Sequence, residues 1–142
     1  MQVENILQSK GRAVHTIAAR ATIAEAVDIL NSRRIGAVVV VTDAGKVAGI
    51  LSERDIVRHL GSDWAGLAGR KVSDVMTRDV VTMGRRASLD EVMERMTERR
   101  IRHLPVVESD ELVGIVSIGD VVKRKIEETE QEALALKEYI AS

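Results

Sequence analysis

Displaced against itself by 66 residues, the chain repeats. Thr22 falls on Ser88, Glu25 on Glu91, Val27 on Met93, Leu30 on Met96 and Ile35 on Ile101. One residue is lost at the next turn, and a displacement of 65 carries Gly49 onto Gly114, Ser52 onto Ser117 and Asp55 onto Asp120. Upstream, Val3-Glu4-Asn5-Ile6-Leu7 resembles Val72-Ser73-Asp74-Val75-Met76, and His15-Thr16-Ile17 matches Val81-Thr82-Met83. A period of this length means one supersecondary unit used twice.

Each copy reads the same way. A short apolar strand (Val14 to Ile17; Val80 to Met83) leads to a capping-box signature, Thr22…Glu25 or Ser88…Glu91. Apolar residues at helical spacing follow: Ile23, Ala26, Val27 and Leu30, then Leu89, Val92, Met93 and Met96. Two strands come next around a tight turn. Ala37 to Val41 and Val47 to Leu51 flank Asp43-Ala44-Gly45, while Leu104 to Val107 and Leu112 to Val116 flank Ser109-Asp110. A second helix starts at Ser52 or Ser117, with Ile56, Val57 and Leu60, or Val121, Val122 and Ile126, expected to face inward. The order is β-α-β-β-α, twice, in an α/β chain. Strands this apolar are expected to be covered on both faces. Pro105, the only proline, removes a ladder donor and so predicts a strand start or a sheet edge. Gly61 to Gly69, with three glycines and Trp64, links the copies. Glu127 to Ser142 reads as an acidic helix with Ala133, Leu136 and Ile140 on one stripe.

The motif that recurs most closely is Gly49-Ile50-Leu51-Ser52-Glu53-Arg54-Asp55, returning as Gly114-Ile115-Val116-Ser117-Ile118-Gly119-Asp120. It is a strand running into the first turn of a helix, where unpaired N–H groups and the dipole suit an anion such as phosphate. The glycine would let a ligand approach the backbone, the serine can donate to it, and the aspartate can accept from the two hydroxyls of a ribose. A second reading is as physical: Ser52 and Ser117 are N-caps, and Asp55 and Asp120 complete capping boxes.

Composition narrows the choice. The chain has no Phe, one Trp and one Tyr, so the core is aliphatic and no aromatic stack is available for bases. A net charge of −1, with acids and bases both abundant, favours neither a polyanion nor an acidic membrane. Without cysteine there is no disulfide frame and no thiolate chemistry. His15, His59 and His103 are too scattered in sequence for a metal site. No apolar run reaches transmembrane length and no signal peptide is legible, so the expectation is a cytoplasmic protein that contacts no membrane. Nothing assembles a nucleophile, base and orienting group, so no enzyme and no catalytic cofactor are expected.

The two motifs, the repeated β-α-β-β-α order and the run Arg100-Ile101-Arg102-His103-Leu104-Pro105-Val106 together resemble the tandem cystathionine-β-synthase (CBS) domain pair, the Bateman module. The resemblance covers residues 2 to about 126 and leaves no catalytic domain, as in a stand-alone pair. It implies two repeats packed sheet to sheet with pseudo-two-fold symmetry. Residues 1–62 would hold the first motif with its N-terminal segment, 63–71 the linker, 72–126 the second motif and 127–142 the C-terminal helix. It further implies a regulatory module with an adenosyl ligand in each of two clefts: AMP first, then NAD(H), ATP or ADP, and S-adenosylmethionine. By position, Asp55 and Asp120 would hold ribose hydroxyls, Ser52 and Ser117 would touch ribose or phosphate, and Arg54 could reach a phosphate. Thr16, Ile17, Ile35, Gly36 and Ala37 would wall one adenine. Val81, Thr82, Met83, Ile101, Arg102 and His103, with Pro105, would wall the other. A homodimer through the outer helices, Ile56 to Leu60 and Val121 to Ile126, completes the implied picture.

The copies differ where it matters. Gly36 and Ala37 in the first stand where Arg102 and His103 stand in the second, and Arg54 is replaced by Gly119. An arginine fork binds phosphate in a way that glycine and alanine cannot, so the cleft bearing Arg102 is expected to prefer a phosphorylated ligand. Two other readings stay open: a ligand-free dimerisation or scaffold module whose Ser–Asp pairs are caps, and weak nucleic-acid binding through Arg33-Arg34, Arg85-Arg86 and Arg99-Arg100.

Overall fold

Caps decide where the helices begin. In the computed structural model, which describes residues 1–141, Thr22 heads α2 (Ile23–Arg33). Its hydroxyl accepts from the Glu25 amide, and the Glu25 carboxylate reaches back to the Thr22 amide. Ser88 heads α5 (Leu89–Arg99) and accepts from the Glu91 amide. There the return bond is not made, so the box expected in both copies is reciprocal only in the first. Both helices stop at an arginine in the left-handed region, Arg34 (φ 54) and Arg100 (φ 55). The next amides, Ile35 and Ile101, then bond back to the Leu30 and Met96 carbonyls.

The strands of the first copy form one sheet. β1 (Thr16–Ala18) lies parallel to β2 (Ala37–Val41), which pairs antiparallel with β3 (Val47–Ser52). In the second copy β4 (His103–Glu108) and β5 (Glu111–Ser117) form a two-stranded sheet around Ser109 and Asp110, both at positive φ. The strand expected over Val80 to Met83 is reduced to one parallel bridge, Met83 to Val106. Pro105 explains the loss. Its carbonyl accepts from the Met83 amide and the Val107 amide donates to Met83, so its nitrogen faces that same edge. Extending the ladder towards Val81 would need an N–H at Pro105, which proline lacks. Val39 stands at that position in the first copy, and β1 pairs there without interruption.

The remaining helices are α1 (Val3–Lys10), α3 (Glu53–Leu60), α4 (Val72–Val75) and α6 (Ile118–Ala141), with a 3-10 turn at Leu67–Gly69. Val57, Val122 and Ile126 were expected to face inward, but each is about half exposed or more. Adjacent helical residues lie 100° apart, so Ile56 and Val121 take the inner face and push Val57 and Val122 outward. The second helix of the second copy and the acidic tail are one element, α6, of 24 residues. From Thr129 to Ala141 it is exposed on every side.

Two units share the chain, and they cut across the copies. One unit takes residues 13–81 and 109–112; the other takes 1–12, 82–108 and 113–142. The leading helix of each copy is therefore built into the unit that holds the other copy's sheet. α4 enters the first unit through bonds from Val72 to the Ala21 carbonyl (2.7 Å) and from Ser73 to the Ala19 carbonyl (3.0 Å). α1 enters the second through Val3 to Ala87 and Glu4 to Arg85, both 2.9 Å. The first unit's core holds Ile23, Leu30, Val38, Val40 and Leu51 with Val72, Val75 and Met76 from the incoming segment. In the second unit Val3, Ile6 and Leu7 are buried, as are Leu89, Val92, Leu104, Val116 and Val121.

Candidate functional site

Strand β3 delivers Ser52 to the start of α3 with its backbone extended, and Asp55 returns one turn later. The Ser52 amide donates to Asp55 Oδ2 (2.9 Å), its hydroxyl donates to the same oxygen (3.1 Å), and the Asp55 amide donates to the Ser52 hydroxyl (3.3 Å). The other carboxylate oxygen, Oδ1, accepts from the Thr77 hydroxyl at 3.1 Å. Asp55 is 7% exposed. Both of its oxygens are engaged.

The second unit repeats the frame with different fittings. The Ser117 amide donates to Asp120 Oδ2 (2.9 Å) and the Asp120 amide donates to the Ser117 hydroxyl (3.2 Å). The Lys10 ammonium donates to that same Oδ2 at 2.7 Å and to the Ile115 carbonyl at 3.0 Å. Among the described residues, nothing bonds Asp120 Oδ1. Partial burial works against this carboxylate's charge, but Lys10 and the Ser117 amide and hydroxyl outweigh it and hold the carboxyl below the usual range.

The adjoining segments lie where the repeat requires. The Glu53 amide donates to the Gly36 carbonyl (3.0 Å), and the Ile118 amide donates to the Arg102 carbonyl (2.8 Å). Each serine-capped helix start therefore sits against the turn that precedes β2 or β4. Ile35 and Gly36 also line an open cavity of about 570 Å³, whose other walls include Val27, Arg34, Glu53, Ile56 and Val57. Ser52 and Asp55 do not line it. Ile17, Ala37 and Pro105 are buried in their own units, while Thr16, Arg54, Thr82 and Arg102 are exposed and Val81, Met83, Ile101 and His103 are half-buried.

The glycines do something other than what the motif suggested. A Cβ at Gly49 would stand 2.6 Å from Met76 Sδ and 2.7 Å from the Thr77 carbonyl oxygen. One at Gly114 would stand 2.6 Å from Leu7 Cδ2. The close approach is made by the other copy's leading segment, and at Gly49 a bridge between Ile50 and Thr77 seals it. Thr77 and Lys10 are the residues that sequence reasoning missed. By the Val3-to-Val72 alignment, Lys10 falls on Asp79 and Thr77 on Gln8, so the repeat hides their shared position beside an aspartate.

A mixed α/β chain of two such units, each with a Ser-x-x-Asp helix start beside a strand turn, defines a module built from one repeated unit. The model of the CBS domain matches residues 6–62 and 72–127, and the chain belongs to the CBS-domain family. It is 32% identical to the mitochondrial CBS domain-containing protein CBSX3 of Arabidopsis thaliana, over 97% of this chain and 71% of that protein. A solved CBS-domain containing protein from Agrobacterium tumefaciens is 43% identical, with a TM-score of 0.85 over 87% of this chain and 92% of that one. The CBS domain pair of protein MJ0100, solved with 5′-methylthioadenosine and S-adenosyl-L-methionine, is 27% identical, with a TM-score of 0.80 over 90% of this chain and 98% of that one. Among the described residues no helix is long and apolar enough to cross a membrane, and no group of three His, Asp or Glu is placed to hold a metal ion.

Proposed function

We propose that the chain is a non-catalytic sensor whose Ser117–Asp120 site takes an adenosyl ligand, with AMP the first choice ahead of NAD(H), ATP, ADP and S-adenosylmethionine. The open Oδ1 of Asp120 carries this reading. A ribose brings two adjacent hydroxyl donors, and a half-buried carboxylate with one unengaged oxygen is an acceptor for them. Lys10 is bonded to the same carboxylate, and the Arg102 carbonyl is bonded to the amide next to Ser117, so the backbone that carries Arg102 adjoins the site a phosphate would share. The first unit has Gly36 in place of Arg102 and Thr77 rather than a lysine on its aspartate, which suits a less charged adenosyl compound. The MJ0100 pair, with its two adenosyl ligands, supports the class of ligand. Ribose hydroxyls on Oδ1 would share the carboxylate with Lys10 on Oδ2, so occupancy would be felt by α1. Outward-facing Val57, Val122 and Ile126 support pairing with a second copy.

Calorimetry of ligand-stripped protein with AMP and with adenosine, on the wild type, Asp120→Ala and Arg102→Ala, tests this. Asp120→Ala should weaken AMP about ten- to a hundredfold, the equivalent of roughly 1.5–3 kcal/mol for hydrogen bonds to a charged acceptor. Arg102→Ala should lower the preference for AMP over adenosine. A lowered melting temperature with unchanged affinity in Asp120→Ala would leave that residue a helix cap and nothing more.

A further inference from the structure

The distal half of α6 is exposed along its length. Residues 129–141 are exposed on every side, and an uncovered helical extension of that length is marginal in water unless a partner covers it. Its seam residues, apolar but for Thr129, are nonetheless ordered. Val122, Ile126, Thr129, Ala133, Leu136 and Ile140 recur in alternating steps of four and three, the heptad spacing of a coiled-coil seam. Ile126, Leu136 and Ile140 on this line are 53%, 59% and 74% exposed. In heptad terms Ile126, Ala133 and Ile140 take position a, and Val122, Thr129 and Leu136 take position d. Ile126 and Ile140 at a with Leu136 at d match the pairing that favours two parallel strands.

The flanking charges choose the partner and its direction. Lys125 and Glu132 take position g, and Glu130 and Lys137 take position e. In a parallel, in-register pair each g residue meets the partner's e residue five positions on, which sets Lys125 against Glu130 and Glu132 against Lys137. Every such pair is of opposite charge. Turned antiparallel over the same layers, Glu132 would face Glu132, Glu130 would face Glu130 and Lys123 would face Lys137. Every one of those is a like pair. Lys125 already bonds Asp90 at 3.2 Å, but Glu132 and Lys137 are exposed. The geometry points to a second copy of this chain as the occupant, the two α6 helices winding together as a parallel, in-register coiled coil along Val122 to Ile140. This interface goes beyond the ligand reading and stands or falls without it.

The test is sedimentation equilibrium of the full chain over a range of concentrations. Leu136→Asp should raise the dimer dissociation constant at least tenfold. Leu134→Asp makes the same change at an equally exposed position off the seam and should leave it unaltered. Both sites are exposed, so neither variant disturbs a core. The absence of native cysteine allows a test of direction. Under mild oxidation Leu136→Cys should cross-link to its copy, because d positions face each other only in the parallel register, whereas Gln131→Cys on the outer face should not. Equal association of the two aspartate variants would overturn the seam. A dimer in which Leu136→Cys fails to cross-link would overturn the parallel register.

Discussion

Gly49 and Gly114 occupy equivalent places in the repeat but differ in what presses on them. At Gly49 the nearest atoms include the Thr77 carbonyl oxygen, part of a backbone bridge that cannot yield without losing its bonds to Ile50. At Gly114 they are the methyl ends of Leu7, which can turn, although Leu7 is itself buried. Gly49→Ala should therefore lower stability by about 2–3 kcal/mol and Gly114→Ala by about 1 kcal/mol, in keeping with the range for overpacked interiors. Urea unfolding of the two variants measures the difference. Equal losses would mean that the backbone contact at Gly49 yields as readily as a side chain. The glycines were legible as a motif because they recur. Their neighbours were not, since Met76 and Leu7 reach them only because each leading helix enters the other unit.

At the scale of elements, Lys10 ties the end of α1 to the start of α6 through Asp120. Because the Asp120 carboxyl lies below the ordinary range in the folded chain, the unfolded chain binds that proton more tightly. The contribution is full above the unfolded value of about 4 and fades as the pH falls through the lower folded value. Wild type should then exceed Lys10→Met in stability by a margin that is widest near neutral pH and narrower at pH 3. Melting of both proteins across that interval checks the sign, and a margin independent of pH would detach the effect from Asp120. The capped helices α2, α3 and α5 could be placed from Thr22, Ser52 and Ser88, because a cap is local chemistry. The second copy's missing strand and the joining of α6 could not. The first depends on which edge the Pro105 nitrogen faces, and the second on Glu127 to Ala141 continuing a helix that composition alone allowed to stop.

For the whole molecule, the boundary between copies is not the boundary between cores. A fragment of residues 13–81 contains the three-stranded sheet together with Val72, Val75 and Met76, which are buried in its core. It forgoes only the 109–112 tip, whose Lys46–Asp110 pair is exposed and worth less than about 1 kcal/mol. This fragment should unfold cooperatively on heating. Residues 1–62, a cleaner cut by sequence, lack the segment that fills the space beside Gly49 and should show no cooperative melt by circular dichroism. A sharp melt in the shorter fragment would mean that the incoming helix is dispensable. The same exchange orders events during translation. Met1–Arg12 leaves the ribosome before any of residues 82–108, against which it is built. At about 5–20 residues per second, that leaves several seconds in which Val3, Ile6 and Leu7 have no place to go. The first unit can close as soon as Thr77 emerges, so the segment made earlier is the one placed later.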